Sequence, residues 1–534
     1  MASFAFPLDP PARYPPALLN AALALHDGQL PVAERLLKHY LKDDPFDARA
    51  IRMLAELAGR IGRNRDAENL LRRALELAPA FTAARANLAL VLYRLNRAPE
   101  ALAELDELLA TEPEHIGYAN LKAAALGRLG GFDEAIALYE RILATVPGQP
   151  RVWMSYGHML KTVGRQAEGV AAYRRAIAAQ PTLGEAWWSL ANLKTMRFTD
   201  ADIAAMEAAQ RAPGLAPEDA FHLDFALGKA FEDRGAADRA FAHYAAGNAA
   251  RRALIAYDAD ETTRFVDECC ALATPDFLAA RAGWGDPSRD PIFILGMPRA
   301  GSTLIEQILS SHSEVEGTTE LPDMPAMARR VADYPAGLAT LTATQAAELG
   351  ADYLRRAAVQ RRTDRPYFID KLPNNWAHVV LIRLILPNAR IIDARRDPRA
   401  CCFSNFKQHF ARGQAFSYGL ADMGRYYRDY VRLMAHVDAV QPGRIDRVIH
   451  EKLVDEPEAQ IRALLDRLGL GFEPACLAFH QNRRAVRTAS SEQVRQPIFR
   501  GGDAAWRPFA AHLGPLEAAL GDVIGCYPEA PDFR

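Results

Sequence analysis

The sequence predicts an α + α/β chain, in which an all-α solenoid of helical repeats precedes an α/β domain built on a parallel sheet. The repeats are indicated by five prolines, each 34 residues after the last: Pro45, Pro79, Pro113, Pro147 and Pro181. The α/β domain is indicated by an apolar run over residues 291–295, which leads through a loop of small residues into a helical pattern. With 534 residues, the chain exceeds the usual size of one core, so at least two domains are expected.

Two further columns accompany the repeated prolines. A small residue stands twelve positions before each proline and a bulky one eight positions before it: Ala33, Ala67, Ala101, Ala135 and Gly169, with Leu37, Leu71, Leu105, Tyr139 and Tyr173. Stacked helix pairs need a small residue where they cross and a large one beside it. The pattern resembles tetratricopeptide repeats over residues 14–195. We therefore assign 14–285 to a solenoid with a divergent last repeat and a helical connector, and 286–534 to the second domain.

The function of the repeats is predicted only as a class. Such a solenoid presents a concave surface, so we expect a protein or peptide partner there. The alternative is an arm that only stabilises or oligomerises the chain. The sequence names no ligand residue on this surface and no oligomeric state.

The loop over residues 296–303 is the main candidate for anion binding. It has the glycine spacing of the Walker A motif, but Ser302 stands where that motif has lysine. Backbone N–H groups and the positive end of the following helix suit an anion. With Arg299 in the loop and no such lysine, we expect a 5′-phosphosulfate rather than the phosphates of a nucleoside triphosphate with Mg²⁺. An ordinary strand-to-helix turn is the alternative.

The segment Pro298-Arg-Ala-Gly-Ser-Thr-Leu304, followed by His312 and Glu320, resembles the corresponding segment of sulfotransferases, most closely of tyrosylprotein sulfotransferases. The resemblance implies a P-loop-like α/β sulfotransferase domain. It implies that the phosphosulfate is bound by the loop residues Arg299, Ala300, Gly301, Ser302 and Thr303. It also implies that Glu320 is the catalytic base, from its interval after Arg299, with Glu316 as a rival.

Two later strand patterns end in basic residues. Lys371 follows the apolar run 366–370, at the strand end where open α/β sheets bind ligands, and by resemblance it stabilises charge on the bridging oxygen. Arg396 and Ser404 resemble the 3′-phosphate site of the family. The family's next basic ligand falls at Gln408, which leaves two substitutes: Lys407 and Arg412.

The last motifs lie near the C-terminal end of the sequence. Residues 488–494 resemble a family segment whose serine binds the ligand, which implies a catalytic role for Ser490. Arg500 or Arg507 would close over the cofactor, and the sequence does not decide between them. His450 stands where the family has a tyrosine on the adenine side.

Composition gives little reason to expect other classes of partner. Lys plus Arg number 64 and Asp plus Glu 66, a net charge of −2, so nothing predicts nucleic acid or an anionic membrane. The six cysteines form no Cys-x-x-Cys pair, which fits a reducing compartment and predicts no metal site. No apolar run approaches the roughly 20 residues of a membrane span, and the first residues lack the pattern of a secretory signal. We expect a cytoplasmic protein.

Together these patterns predict a sulfotransferase that uses 3′-phosphoadenosine 5′-phosphosulfate, requires no metal and releases 3′-phosphoadenosine 5′-phosphate. The acceptor is a hydroxyl, for which the resemblance favours protein tyrosine, with a small-molecule, glycan or lipid hydroxyl as the alternative. Two other classes stay open. One is a nucleotide-binding kinase or triphosphatase, and the other is a non-catalytic repeat scaffold.

Overall fold

The computed structural model describes residues 15–410, 413–486, 488, 490–498 and 502–533. They form two compact units. The first runs to Leu160 and includes Gln166–Ala179, and the second comprises Lys161–Arg165 and the chain from Gln180 onward. The last helices ahead of the sheet thus belong to the same compact unit as the sheet, whereas the boundary predicted at 285 marks where helices give way to strands.

Helix pairs build the first unit, as the 34-residue period predicts. The helices are α1 (Pro16–His26), α2 (Leu30–Asp43), α3 (Ala48–Arg60), α4 (Asn64–Leu77), α5 (Thr82–Arg94), α6 (Ala98–Thr111), α7 (Ile116–Leu129), α8 (Phe132–Thr145), α9 (Pro150–Val163, whose end belongs to the second unit) and α10 (Gln166–Ala179). The predicted small and bulky columns are buried in the second helix of each pair, for example Ala67 and Leu71 on α4. These columns therefore form the contact between stacked helices.

The second unit begins with six helices: α11 (Gly184–Ala191), α12 (Asp200–Gln210), α13 (Pro217–Glu232), α14 (Ala237–Ala253), α15 (Ala259–Leu272) and α16 (Pro275–Ala279). The divergent last repeat is α13 with α14, which cross closely because Gly228 leaves room for Tyr244: a Cβ at Gly228 would lie 2.7 Å from its ring. Nδ2 of Asn248 on α14 donates to the carbonyl of Phe406 at 2.9 Å. This buried hydrogen bond joins the last repeat to the α/β part of the unit.

Five parallel strands form the sheet in the order β2-β3-β1-β4-β5: β1 (Pro291–Gly296), β2 (Val315–Thr319), β3 (Tyr367–Asp370), β4 (Arg390–Arg395) and β5 (Asp446–Ile449). The central strand β1 is buried along its whole length, as expected for a parallel sheet covered on both faces. Four predicted residues come directly after the carboxyl ends of strands: Glu320 after β2, Lys371 after β3, Arg396 after β4 and His450 after β5. The sheet therefore brings them to one edge, on either side of the loop after β1.

The remaining α-helices lie between and after the strands in the chain: α17 (Ser302–Leu309), α18 (Asp323–Ala328), α19 (Ala343–Ala358), α20 (Val379–Ile385), α21 (Pro398–Phe406), α22 (Leu420–Val440), α23 (His450–Asp455), α24 (Pro457–Arg467), α25 (Gly514–Leu520) and α26 (Val523–Cys526). Within the described ranges, none of the helices has the length and apolar character needed to cross a membrane.

Candidate active site

The loop between β1 and α17 is wound closely against β4. Gly296 has a φ of +130°, and a Cβ built on it would lie 2.4 Å from the carbonyl oxygen of Ala394, so this position requires glycine. Nδ2 of Asn405 donates to the carbonyl of Pro298 at 2.7 Å and ties the loop to α21. Gly301, with a φ of +96°, is followed by the first turn of α17. The first N–H groups of α17 have no partner within the helix, which makes them available to an anion.

Arg299 is held in the loop by uncharged partners. Its guanidinium donates to the hydroxyl of Ser404 at 3.2 Å, to the hydroxyl of Ser490 at 2.6 Å and to the side-chain oxygen of Gln493 at 3.3 Å. In the described part of the chain it forms no ion pair with a carboxylate. Burial and the nearby Arg396 lower the pKa of Arg299 to about 10. A cation fixed in this way is ready for an anionic ligand.

Glu320 and Lys371 form a pair at the ends of β2 and β3. The preceding residues, Thr319 and Asp370, are paired in the sheet register, so the two side chains start side by side. Nζ of Lys371 lies 2.5 Å from Oε1 of Glu320. The lysine side chain is 1% exposed, whereas that of Glu320 is 50% exposed. The buried ammonium needs this partner, and the carboxylate is still open to an incoming hydroxyl.

Glu316, the alternative candidate for the catalytic base, is held by structural hydrogen bonds. Its side chain is buried, and its carboxylate accepts hydrogen bonds from Nε of Arg361 at 3.3 Å, from the backbone N–H of Arg362 and from the backbone N–H of Thr363 at 3.1 Å. A carboxylate occupied on both oxygens is poorly placed to take a substrate proton. The contacts therefore favour Glu320 over Glu316 as the base.

Asp370 is the last residue of β3 and directly precedes Lys371. It is fully buried, and Oδ2 accepts a hydrogen bond from the hydroxyl of Tyr353 at 2.8 Å. Burial raises the pKa of Asp370 to about 8, because a charged carboxylate is costly away from water. Asp370 is therefore a largely protonated acid at neutral pH.

Arg396 is surrounded by acceptors on the other side of the loop. It donates to the carbonyl of Arg299 at 3.2 Å and to that of Gly502 at 2.8 Å. Its Nε lies 3.1 Å from Oδ1 of Asp503, a carboxylate that the sequence analysis did not single out. His450 Nε2 lies 3.6 Å from the same oxygen. Burial and the charge of Arg396 lower the pKa of His450 to about 4, so the imidazole is neutral.

A cavity of about 390 Å³ lies beside the loop after β1, Arg396 and His450. The predicted residues that line it are Arg299, Gly301, Ser302, Thr303, Arg396, Ser404, Lys407, Gln408, His450 and Ser490. Glu320, Lys371 and Ala300 are not among its described lining residues. Arg507 is exposed and is not among them either, while Arg412 and Arg500 lie outside the described residues. The structure thus brings together most of the predicted cofactor residues, with the Glu320–Lys371 pair standing apart from this lining.

The other wall of the cavity comes from helices that the sequence analysis did not connect with the site. It includes Lys194 after α11, Lys229 and Glu232 on α13, and Tyr244 on α14. Nζ of Lys407 lies 2.6 Å from Oε1 of Glu232, which also accepts from the hydroxyl of Tyr244 at 2.7 Å through Oε2. The sequence analysis had assigned the residues of this wall to the repeat pattern over 14–195 or to the divergent last repeat. Across the described residues, no group of three or more potential metal-ligating side chains is gathered.

Comparison with known proteins decides the family. Residues 291–474 match the model of the sulfotransferase family, and residues 62–125 and 120–193 match two tetratricopeptide repeat models. The chain carries a sulfotransferase domain preceded by tetratricopeptide repeats. The predicted family and fold class are therefore confirmed, and the sulfotransferase match begins at the first residue of β1.

Two relatives extend this comparison. An uncharacterized protein of Aquifex aeolicus (strain VF5) is 31% identical over 338 residues, which cover 61% of this chain but only 44% of that protein. A Caenorhabditis briggsae protein named "Putative protein-tyrosine sulfotransferase" is 23% identical over 196 residues, covering 36% of this chain and 69% of that protein. Among solved structures, the tetratricopeptide protein YrrB, titled as having an unusual peptide-binding site, is 18% identical with a TM-score of 0.29, covering 34% of this chain and 91% of YrrB.

Proposed function

We propose that the sulfotransferase domain transfers a sulfuryl group from 3′-phosphoadenosine 5′-phosphosulfate to an acceptor hydroxyl. The observation that carries the proposal is Arg299, a loop cation with three uncharged partners and no carboxylate among the described residues. It stands in a loop that lacks the Walker lysine, which supports a phosphosulfate over a nucleoside triphosphate.

The donor set of the cavity fits such a ligand. The hydroxyls of Ser302 and Thr303 stand at the positive end of α17, where a 5′-phosphosulfate would be held. Arg396 and Ser404 are the candidates for a 3′-phosphate. The neutral ring of His450 lines the same cavity, whose volume of about 390 Å³ is within the usual range for ligand sites.

Each residue near the reacting atoms has one task. Glu320 takes the proton of the acceptor hydroxyl, which its half-exposed carboxylate is able to reach. When bound, the phosphosulfate supplies the sulfuryl group, whose bond to the phosphate oxygen breaks as a bond to the acceptor oxygen forms. Lys371 and Arg299 stabilise the negative charge that stays with the released phosphate, and Ser490 orients Arg299 through its 2.6 Å hydrogen bond. The proton leaves Glu320 to solvent afterwards.

Protein tyrosine is the acceptor that we favour. It is supported by the name of the Caenorhabditis relative and by repeats of a kind that bind peptides on a concave face. The exposure of Glu320 is also compatible with a hydroxyl carried on a large molecule. A small-molecule, glycan or lipid hydroxyl is the alternative, and sulfation assays with peptide and small phenol acceptors distinguish these classes.

Calorimetric titration of the full chain with 3′-phosphoadenosine 5′-phosphate, without metal, tests the donor site. We expect binding that Arg396→Ala weakens by about 2 kcal/mol, or roughly 30-fold, the scale of a lost charged hydrogen bond. Arg428→Ala is the matched control, because Arg428 on α22 is exposed and is not among the described lining residues. Absence of binding, or preference for ATP with Mg²⁺, would overturn the proposal.

Glu320→Gln tests whether the domain is a catalyst. The variant keeps the size of the side chain and removes its basicity, so sulfuryl transfer should fall strongly while 3′-phosphoadenosine 5′-phosphate still binds. If the variant and the wild type transferred sulfate equally fast, Glu320 would not be the base. If the wild type bound the nucleotide but transferred nothing to any acceptor class, the scaffold alternative would be favoured.

A further inference from the structure

The cavity is lined by more cations than the predicted cofactor-binding residues supply. Its described lining includes five cations and one carboxylate: Lys194, Lys229, Arg299, Arg396 and Lys407, with Glu232. Lys229 is paired with Asp233 at 2.5 Å, Lys407 with Glu232 at 2.6 Å and Arg396 with Asp503 at 3.0 Å. Lys194, like Arg299, has no carboxylate partner within the described parts of the chain.

Lys194 is held in an unfavourable setting. It follows α11 in the left-handed backbone region with a φ of +65°, which a lysine seldom adopts. Burial and the charges of Arg299 and Lys407 lower the pKa of its ammonium well below the ordinary value. Like charges that are brought together without a counter-ion repel one another, and a bound anion would remove this repulsion.

Lys194 shares the cavity with the candidates for the 3′-phosphate. Ser404 and Gln408 line the same cavity on and just after α21, together with Lys407. Gln408 is uncharged, and its Nε2 donates to the carbonyl of His409. Among the described lining residues on and just after α21, Lys407 is the only cation, and it is already paired with Glu232.

We propose that Lys194 binds the 3′-phosphate of the nucleotide, so that the segment after the last regular repeat completes the donor site of the sulfotransferase domain. This inference rests on the proposed function, because it takes the same nucleotide as ligand. It adds a binding residue from outside residues 291–474, the range that matches the sulfotransferase family.

The test is metal-free calorimetry on the full chain with two probes, 3′-phosphoadenosine 5′-phosphate and adenosine 5′-phosphate, which lacks the 3′-phosphate. Lys194→Ala should weaken binding of the first by about 10- to 100-fold, the effect of losing a charged hydrogen bond, and change binding of the second less than twofold. Lys194→Arg should recover most of the affinity, because it keeps the charge. Lys452→Ala, an exposed lysine on α23, should change neither.

Thermal unfolding separates ligand binding from a structural role. Without nucleotide, Lys194→Ala should unfold at an equal or higher temperature than the wild type, because the substitution removes repulsion among the cations of the cavity. With saturating 3′-phosphoadenosine 5′-phosphate, the wild type should gain more stability than the variant. A lysine needed only for folding would give a lower unfolding temperature in both conditions, and that result would overturn the inference.

The two proposals fail in different ways. If the wild type does not bind 3′-phosphoadenosine 5′-phosphate, the proposed function fails. If the wild type binds and Lys194→Ala binds equally well, only the role of Lys194 fails. Equal losses for both probes would also overturn the assignment, since they would place Lys194 at the 5′ end.

Discussion

Asp503 occupies the guanidinium that we assign to the 3′-phosphate, so its removal should tighten nucleotide binding. Oδ1 of Asp503 lies 3.1 Å from Nε and 3.0 Å from an Nη of Arg396. A phosphate on the same guanidinium would stand about 5 Å from this carboxylate, where two unit charges repel by about 3 kcal/mol at an effective dielectric constant of 20. Asp503 is 29% exposed, and water and salt reduce this repulsion to about 1 to 2 kcal/mol.

Asp503→Asn should therefore increase the affinity for 3′-phosphoadenosine 5′-phosphate by about 5- to 30-fold. The affinity for adenosine 5′-phosphate should stay the same, since that ligand places no charge beside Asp503. The free protein should become less stable by about 1 kcal/mol, because Arg396 loses a charged partner. Calorimetry with both nucleotides and thermal unfolding without ligand measure these effects, and Asp522→Asn, at an exposed aspartate, is the control.

Weaker binding of 3′-phosphoadenosine 5′-phosphate by Asp503→Asn would refute this reasoning. That outcome would mean that Asp503 orients Arg396 for the ligand and remains beside it, instead of competing with the phosphate. An unchanged affinity would mean that Arg396 does not meet the 3′-phosphate at all.

Three further outcomes are expected. In the wild type, folded Asp370 keeps its proton until about pH 8, so the free energy of unfolding falls as pH rises from about 4 to 8. Asp370→Asn should remove this fall, and denaturant unfolding across that pH range measures it. His222, whose ring packs 4.7 Å from that of His409, has a pKa lowered to about 4 by burial, so stability is lost as pH falls from about 6.5 to 4. His222→Phe should remove that part of the acid sensitivity in the same measurement. Gly301→Ala should abolish nucleotide binding in calorimetry, because the new Cβ would lie 2.7 Å from the ring of His450 at a φ that disfavours alanine.

Sequence reasoning succeeded where a pattern is local or strictly periodic. The 34-residue period fixes the small and bulky columns, because each repeat repeats the same helix contact. The strands β1, β3 and β4 follow apolar runs, which buried parallel strands require. The strand β2 was not predicted, because Val315–Thr319 contains a glutamate, a glycine and two threonines and carries no apolar run.

The residues of the candidate site could be predicted only from the resemblance to sulfotransferases. Arg299 contacts Ser404 and Ser490 across 105 and 191 residues of chain, and no spacing rule links positions so far apart. The sheet order supplies that link, since it brings the carboxyl ends of all five strands to one edge. Asp503 was missed because its segment carries no motif, and Lys194 was missed because the repeat pattern that contains it predicts no role in the site. The fold brings Lys194 to the cavity and Asp503 to Arg396.

Helices outside the segment that matches the sulfotransferase family also form part of the cavity. Glu232 and Tyr244 belong to the last helix pair, yet they fix Lys407, which follows the helix that carries Ser404. The hydrogen bond from Asn248 to Phe406 holds the same end of α21. The side of the cavity that we propose for the 3′-phosphate is therefore positioned by helices of the repeat region, while the side that we propose for the phosphosulfate is positioned by β1 and its loop. A change in α13 or α14 should consequently alter nucleotide affinity, although neither helix lies in the segment that matches the sulfotransferase family.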